Sequence, residues 1–325
     1  MFYAIKSFLS ELTVALLDEQ KIPFTFYWIR EEDINLGDIY VCRITQKMPN
    51  LKGFFAEIDN NRSLFVSSKH PLEVGQLVNV IITKEARLGK IPQAKRYGLL
   101  QQKKLGLVQK GDFLQGIPDS ENFQQLEWNE DLDEALIDSL DPVVSFADGG
   151  RLIFEQTHAF WSIDVDSGSS ISDITILNEQ AAEQIGKEII KRNLSGNILI
   201  DFIGNKNKSQ VATWKNILSR FLCKSPVPYQ LLGVSPMGNV ELRRDRMRAG
   251  TQDATRFISA ICYDLFRQIL KTPDKIKSIQ VSLEMYAALT GIMKNTFQKV
   301  EAKTGDSIHL SASSDVKYFC VEYKQ

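Results

Sequence analysis

Residues 160–170 read FWSIDVDSGSS, and residues 197–204 read NILIDFIG. In the first stretch Phe160, Ser162, Asp164 and Asp166 alternate with Trp161, Ile163 and Val165. That period of two marks a strand with unlike faces, so both aspartates point the same way at its C-terminal end. Strands disfavour aspartate, and burying an unpaired carboxylate costs several kcal/mol. Something must offset these two. Between the stretches, LNEQAAEQIGKEIIKRN sets Leu177, Ala181, Ile185 and Ile189 on one helical face. NILIDFIG is nearly all apolar, as a strand buried on both faces would be, and carries one acid, Asp201, near its end. Strand, helix and strand form a βαβ unit, whose strands run parallel, are often adjacent and connect by a right-handed crossover. Neighbouring strands lie about 5 Å apart. Asp164 and Asp201, 37 residues apart in the chain, are therefore expected side by side at the edge where open α/β sheets bind ligands.

Converging carboxylates repel unless a cation sits among them. Oxygen donors without His or Cys favour Mg²⁺ or Mn²⁺. Mg²⁺ on one or two carboxylates suits phosphate-ester chemistry, where it polarises phosphoryl oxygens and activates water. The blander alternative makes Asp164 a turn residue and Asp201 a cap of the helix in KSQVATW, common duties of isolated aspartates. On the pattern alone both readings stay open.

The whole chain of 325 residues is 43% hydrophobic and 24% charged, ordinary for a protein with a sizeable core, and its length fits about two or three domains. A net charge of −1 gives no bulk pull toward nucleic acid or membrane. The charge is segregated, however. From Lys84 to Lys110 there are eight Lys or Arg and one acid, Glu85; from Gly111 to Asp141 there are ten acids and no Lys or Arg. Such segregation can present one strongly basic surface. Cys42, Cys223, Cys262 and Cys320 are far apart and form no C-x-x-C. This argues against a disulfide framework or local zinc site and fits a reducing compartment. Neither a signal peptide nor an apolar run long enough for a membrane span is read, so a cytoplasmic protein is expected.

LTVALL (12–17) and PFTFYW (23–28) read as a hairpin. From Gly37 to Tyr97, DIYVCRIT, LKGFFAEID, SLFVSS and LVNVIIT are short strands separated by Asn60-Asn61 and PLEVG, the spacing of a small barrel. Residues 111–147 read as an acidic connector with a short helix near Asp131 to Leu140. RLIFEQ and AFWSIDVD form a second hairpin, and KSQVATWKNILSRFL a helix with Val211, Trp214, Leu218 and Phe221 on one stripe. YQLLGVS and NVEL are strands. A helix at 251–271, strand SIQVSL, a helix at 283–296 and strands in KVEA, SIHLSA and KYFCVEY complete the chain. In the barrel, Phe55 and Phe65 lie on consecutive strands and Lys84, Arg87 and Lys90 follow. Basic barrels with surface aromatics bind single-stranded nucleic acid by stacking and phosphate tracking; a single Phe reads more readily as core, a preference that falls when it is paired with the basic run. In ELRRDRMRAG, alternation would put Arg244, Arg246 and Arg248 on one face, and with Arg243 they form a cluster for which phosphate binding is favoured over a merely solvated surface.

GGRLIFEQTHAFWSIDVDSG, NEQAAEQIGKEIIKRNLSGNILIDFIG and VSPMGNVELRRDR resemble, in order, successive motifs of the bacterial ribonuclease E/G endoribonucleases. ELTVALLDEQKI resembles that family's opening strands, and GDIYVCRITQKMPNLKGFFAEI the start of its RNA-binding OB barrel. The resemblance covers about residues 11–100 and 148–250, and beyond 250 is one of pattern only. It implies that Asp164 and Asp201 bind Mg²⁺, that Phe55, Phe65 and Lys90 grip a base near the cut, and that Arg244 and Arg246 contact phosphate. Three departures stand out. Asp166 replaces an Asn, the short acidic connector replaces a larger insert that senses a 5′-monophosphate, and the C-P-x-C zinc hinge is absent. No zinc-linked dimer is therefore expected.

The expected fold is α/β, an α+β multi-domain chain. A hairpin at 1–36 packs on the core, an OB-type RNA-binding barrel spans 37–100, an acidic connector 101–147, a ribonuclease-H-like nuclease core 148–250 and a small α/β domain 251–325. The expected function is metal-dependent cleavage of single-stranded RNA. Asp164 and Asp201 hold Mg²⁺ or Mn²⁺; Asp166 is a third ligand or repels the scissile phosphate, and the ligand role is favoured. Phe55, Phe65, Lys84, Arg87, Lys90, Arg244 and Arg246 hold the strand. The alternatives are a non-catalytic RNA-binding protein of the same descent and, disfavoured by the barrel, a Mg²⁺ phosphohydrolase of small nucleotides.

Overall fold

The computed structural model describes the chain apart from residues 60–61, 69, 88, 100–103, 115, 205–206, 306 and 325. The Asn60-Asn61 turn and Lys103 of the basic run lie outside the described residues. Strands β1 (Phe2–Phe8), β2 (Glu11–Leu17) and β3 (Pro23–Arg30) form an antiparallel sheet. The expected hairpin is β2–β3; β1 was not anticipated.

The barrel follows as expected. It comprises β4 (Ile39–Met48), β5 (Gly53–Glu57), β6 (Ser63–Ser67), β7 (Leu77–Lys84) and β8 (Gln93–Arg96). Its closed order is β4-β5-β6-β8-β7-β4, and β6–β8 is its parallel pair. Closure is possible because β4 is long: Ile39–Arg43 pairs with β7 and Arg43–Met48 with β5. Alternation sends Tyr40, Cys42, Ile44, Phe54, Leu64 and Val66 inward. Glu85, the single acid of the basic run, directly follows β7. Its buried carboxylate accepts from Leu36 N (3.0 Å), Ala249 N (2.9 Å) and Arg248 (3.1 Å), so it binds the approach to β4 and the end of β7 to the later core.

The stretch read as a connector is built into three sheets. β9 (Gly106–Gln109) pairs with β4, β10 (Gln124–Leu126) runs parallel to β1, and helix α1 (Glu130–Asp138) follows before β11 (Val143–Ser145) pairs with the next strand. Asn129 caps α1 by accepting from Leu132 N, and acids fill its first turn, where the helix dipole favours them. Leu132 then packs on Ala4, Ala15 and Phe26.

The central sheet holds β12 (Arg151–Gln156), β13 (Phe160–Asp166), β14 (Gly196–Asp201), β15 (Tyr229–Val234) and β16 (Val240–Arg244), in the order β11-β12-β13-β14-β16-β15. Helix α2 (Ile174–Lys191) joins β13 to the parallel β14, and α3 (Lys208–Leu222) follows. Both helices cover one face. Leu177, Ala181, Ile185 and Ile189 of α2 are buried as their spacing requires, and Trp214 of α3 stacks on Phe202 with ring centroids 4.2 Å apart. The helices approach closely because Gly186 faces Phe221, where a Cβ would come within 2.9 Å. The sheet's other face is uncovered. β14 is therefore not buried on both sides: Ile198 and Ile200 face the helices, while Asn197, Leu199 and Asp201 face outward.

The last part contains α4 (Thr251–Arg256), α5 (Ile258–Lys271), β17 (Ile276–Val281), α6 (Leu283–Thr290), α7 (Lys294–Thr304), β18 (Leu310–Ala312) and β19 (Phe319–Tyr323). The helix expected at 251–271 breaks at Phe257, whose backbone is extended. KVEA is helical, not a strand: Phe297 and Val300 share the buried face of α7, and four residues are too few to reveal a period. This part is tied back to the N-terminal sheet. Glu11, 1% exposed, is shared by Arg30 and by Arg267 of α5, and Arg30 also donates to the carbonyl of Ala254. Among the described residues no helix is long and apolar enough to cross a membrane, and the four cysteines are free thiols.

Candidate active site and nucleic-acid interface

β13 and β14 pair in parallel from Phe160↔Asn197 to Asp164↔Asp201. The two aspartates thus stand in register at the C-terminal ends of adjacent strands, as the βαβ reading required. They line an open depression of about 400 Å³ with Ile153, Glu155, Ser162, Leu199 and Asn239. The Asp164 carboxyl is pushed above its ordinary range, first by loss of solvent, then by the charges of Asp201, Asp166 and Glu155. A divalent cation would relieve that repulsion. Two adjacent carboxylates fit Mg²⁺, which keeps its other positions for water and phosphate oxygen. No group of three or more His, Cys, Asp or Glu suited to a metal occurs among the described residues, so the fit is to this sparse type of site and not to a full protein cage.

Asp166 shares the face of Asp164 but has other partners. Its Oδ2 accepts from Arg151 Nε (2.8 Å) and Nη2 (2.6 Å), and its Oδ1 accepts from Gly168 N (2.9 Å). These contacts hold its carboxyl below the usual range. Arg151 lies directly opposite on β12. Asp166, read as a third metal ligand or a repelling charge, serves in this structure as a turn cap and ion-pair partner.

In the barrel, Phe55 and Phe65 are direct cross-strand partners, half-buried, with rings edge-to-face and centroids 6.0 Å apart. Phe65 lies over Gly53, where a Cβ would come 2.2 Å from the ring. Lys84 ends β7 half-buried, and Arg87 and Lys90 form a small bridge beyond it. The Lys90 ammonium is held below its usual value by Arg87, then by burial and Arg246. Arg246, partly buried with Nε unpartnered, also feels Arg87. These cations converge from distant parts of the chain.

Arg244 does not join them. It is 2% exposed, and its guanidinium donates to Asn193 Oδ1 (2.9 Å), Leu194 O (2.7 Å) and Ser225 Oγ (2.9 Å). Burial pushes its pKa down to about 10. Arg244 ties β16 to the α2–β14 turn and is no surface phosphate contact. Arg248 is likewise buried, on Glu85 and over the ring of Tyr27. Alternation along β16 explains the error: Val240, Leu242 and Arg244 face the helices, and Arg243 faces out. The same rule along RLIFEQ would have placed Glu155, which pairs with Ser162, on the face of Asp164, a neighbour the sequence reading missed.

Residues 101–247 match the family model described as the Ribonuclease E/G family. Over this region the chain is similar to the ribonuclease E/G family. The matched ribonuclease E/G region takes in the acidic stretch from its start and contains both aspartates. The chain is 26% identical to Ribonuclease G of Salmonella typhimurium over 201 residues, 55% of this chain and 41% of that relative. Ribonuclease G of Escherichia coli (strain K12) matches with the same identity and coverage. Ribonuclease E of Synechocystis sp. is 35% identical over 116 residues, 34% of this chain and 17% of that protein. The chain thus spans less than half the length of the curated relatives it matches.

Proposed function

We propose that this protein is a metal-dependent endoribonuclease of single-stranded RNA. The observation that carries the reading is the in-register pair Asp164 and Asp201 on an uncovered sheet face, within the residues that match the family. Mg²⁺ or Mn²⁺ would be held by these two carboxylates and would supply charge to polarise a phosphoryl oxygen and to acidify water. The chain's own groups position the strand. Arg87, Lys90 and Arg246 take phosphates, with Lys84 beside them, and the edges and faces of Phe55 and Phe65 take a base. Asp166 orients Arg151 at the rim of the carboxylate pair. The strand order β4-β5-β6-β8-β7 supports an OB-type barrel at 37–100, and the mixed sheet with its βαβ unit supports a ribonuclease-H-like core at 148–250, followed by a small domain at 251–325. A cytoplasmic place and an assembly without a zinc link belong to the same reading.

A second reading, RNA binding without turnover, is favoured by one observation: Asp166 and Arg151 form an ion pair where the family resemblance has Asn. Labelled single-stranded RNA incubated with Mg²⁺ or EDTA separates the two. Mg²⁺-dependent cutting that is lost in Asp164→Asn and Asp201→Asn supports the enzyme. Tight binding with no cutting leaves the second reading, and neither binding nor cutting sinks both.

A further inference from the structure

The cations that reach the uncovered sheet face decide where a strand could lie. Arg243 of β16 is exposed, and among the described residues no hydrogen bond or ion pair holds its guanidinium. It stands in register with Asn197 of β14, which stands in register with Phe160 of β13. Asn197 is exposed and Phe160 half-buried. A guanidinium, a carboxamide and an aromatic ring therefore form a row across three neighbouring strands. All three face the side that carries Asp164 and Asp201. Asn197 stands four positions before Asp201 along β14, a distance of about 13 Å at about 3.3 Å per residue. Leu199 and Ser162 floor the span between.

The foot of the same strand touches the barrel. Gly196 precedes Asn197, and a Cβ on it would come within 3.3 Å of Arg87 Nη1. Arg87 is the centre of the converging cations, because it acts on both Lys90 and Arg246. Positive charge thus runs from the barrel hairpin to the row. From the row the sheet leads to the carboxylates.

We propose that Phe160, Asn197 and Arg243 form a nucleotide subsite on this face, a few nucleotides' reach from the carboxylate pair. Arg243 binds a phosphate, Asn197 offers donor and acceptor to a base, and Phe160 provides a stacking surface. The proposal rests on the reading of the protein as one that binds single-stranded RNA. Charge favours that occupant over another protein chain: the row is polar and basic, and it continues a basic run.

The test uses the full chain in EDTA, so that no cutting intervenes, and a fluorescent oligouridylate titrated at several salt concentrations. Wild type, Arg243→Ala, Arg243→Lys, Phe160→Ala and Lys271→Ala are compared; Lys271 is an exposed cation at the end of α5. Each phosphate contact with a single strand contributes a slope of about −0.7 in log K against log salt. Arg243→Ala is expected to flatten the slope by about that amount, Arg243→Lys to keep most of it, and Lys271→Ala to leave it unchanged. Phe160→Ala is expected to weaken binding about tenfold with little change in slope. Wild-type binding with an unchanged slope in Arg243→Ala would overturn the subsite and leave the proposed function standing. A shift in sedimentation of Arg243→Ala with an unchanged slope would assign the face to a second copy and also overturn it. No RNA binding by wild type would remove both readings together.

Discussion

Asp164→Asn removes one charge and keeps the shape of the side chain. The carboxylates of Asp164 and Asp201 sit on adjacent strands in register, about 5 Å apart at their bases. Two unit charges at that distance repel by about 0.8 kcal/mol in bulk water and about 3 kcal/mol at an effective dielectric of about 20. Both residues are exposed, so a value near the lower limit, about 1 kcal/mol, is expected. The direction with pH follows from the raised folded-state pKa of Asp164. Its favourable contribution is complete below the unfolded value of about 3.9 and is lost as pH rises through the folded value. At pH 7 the wild type has lost it and the Asn variant has not. Urea unfolding in EDTA should therefore show Asp164→Asn about 1 kcal/mol more stable at pH 7, and the difference should vanish near pH 3. Added Mg²⁺ should stabilise wild type by mass action and the variant far less. A variant that is less stable than wild type at pH 7 in EDTA, with unchanged circular dichroism, would refute the charge argument. A full Mg²⁺ response in the variant would remove Asp164 from the metal site.

Arg248→Met leaves the Glu85 carboxylate buried without its cation and should destabilise the protein by about 3–5 kcal/mol in urea unfolding; a loss under 1 kcal/mol would mean that the two backbone N–H groups suffice. Phe55→Ala and Phe65→Ala should each weaken RNA binding by about 1–3 kcal/mol in fluorescence anisotropy. Wild-type affinity in both, with the fold intact, would separate the barrel aromatics from the RNA. Asp166→Asn should leave the Mg²⁺ midpoint of cutting unchanged, because both carboxylate oxygens already accept from Arg151 and Gly168. A shifted midpoint in that titration would make Asp166 a ligand after all.

What could be read from the residues was what chain rules confine. The pairing of Asp164 with Asp201 followed from a helix between two strands, which leaves few topologies. The barrel was legible for a similar reason: short alternating strands with short turns have few ways to bury their faces. Arg244 was misplaced because the arginines were weighed as a cluster, while the strand sorts neighbours to opposite sides. Glu85 gave no local signal, since its partners lie 49 to 164 residues away. β10 has three residues, and its ladder partner is at the other end of the N-terminal half. The helix breaks at Phe257 and Gly291 lie inside patterns that read as continuous. Long-range pairing, short elements and parity within a charged run were the blind spots.

Glu11 has a bearing on how the chain comes to be folded. Arg267, one of its two cations, follows it by 256 residues. On the ribosome the first strands emerge early, yet a strand from residues 124–126 and a guanidinium from α5 must arrive before their sheet and its buried acid are complete. Contacts of such sequence separation slow folding and leave unfinished edges open to wrong partners. A fragment that stops after the central sheet would strand Glu11 with Arg30 alone, so the segments of this protein are poorly suited to separate expression, and the last helices act as the closing step of the first sheet.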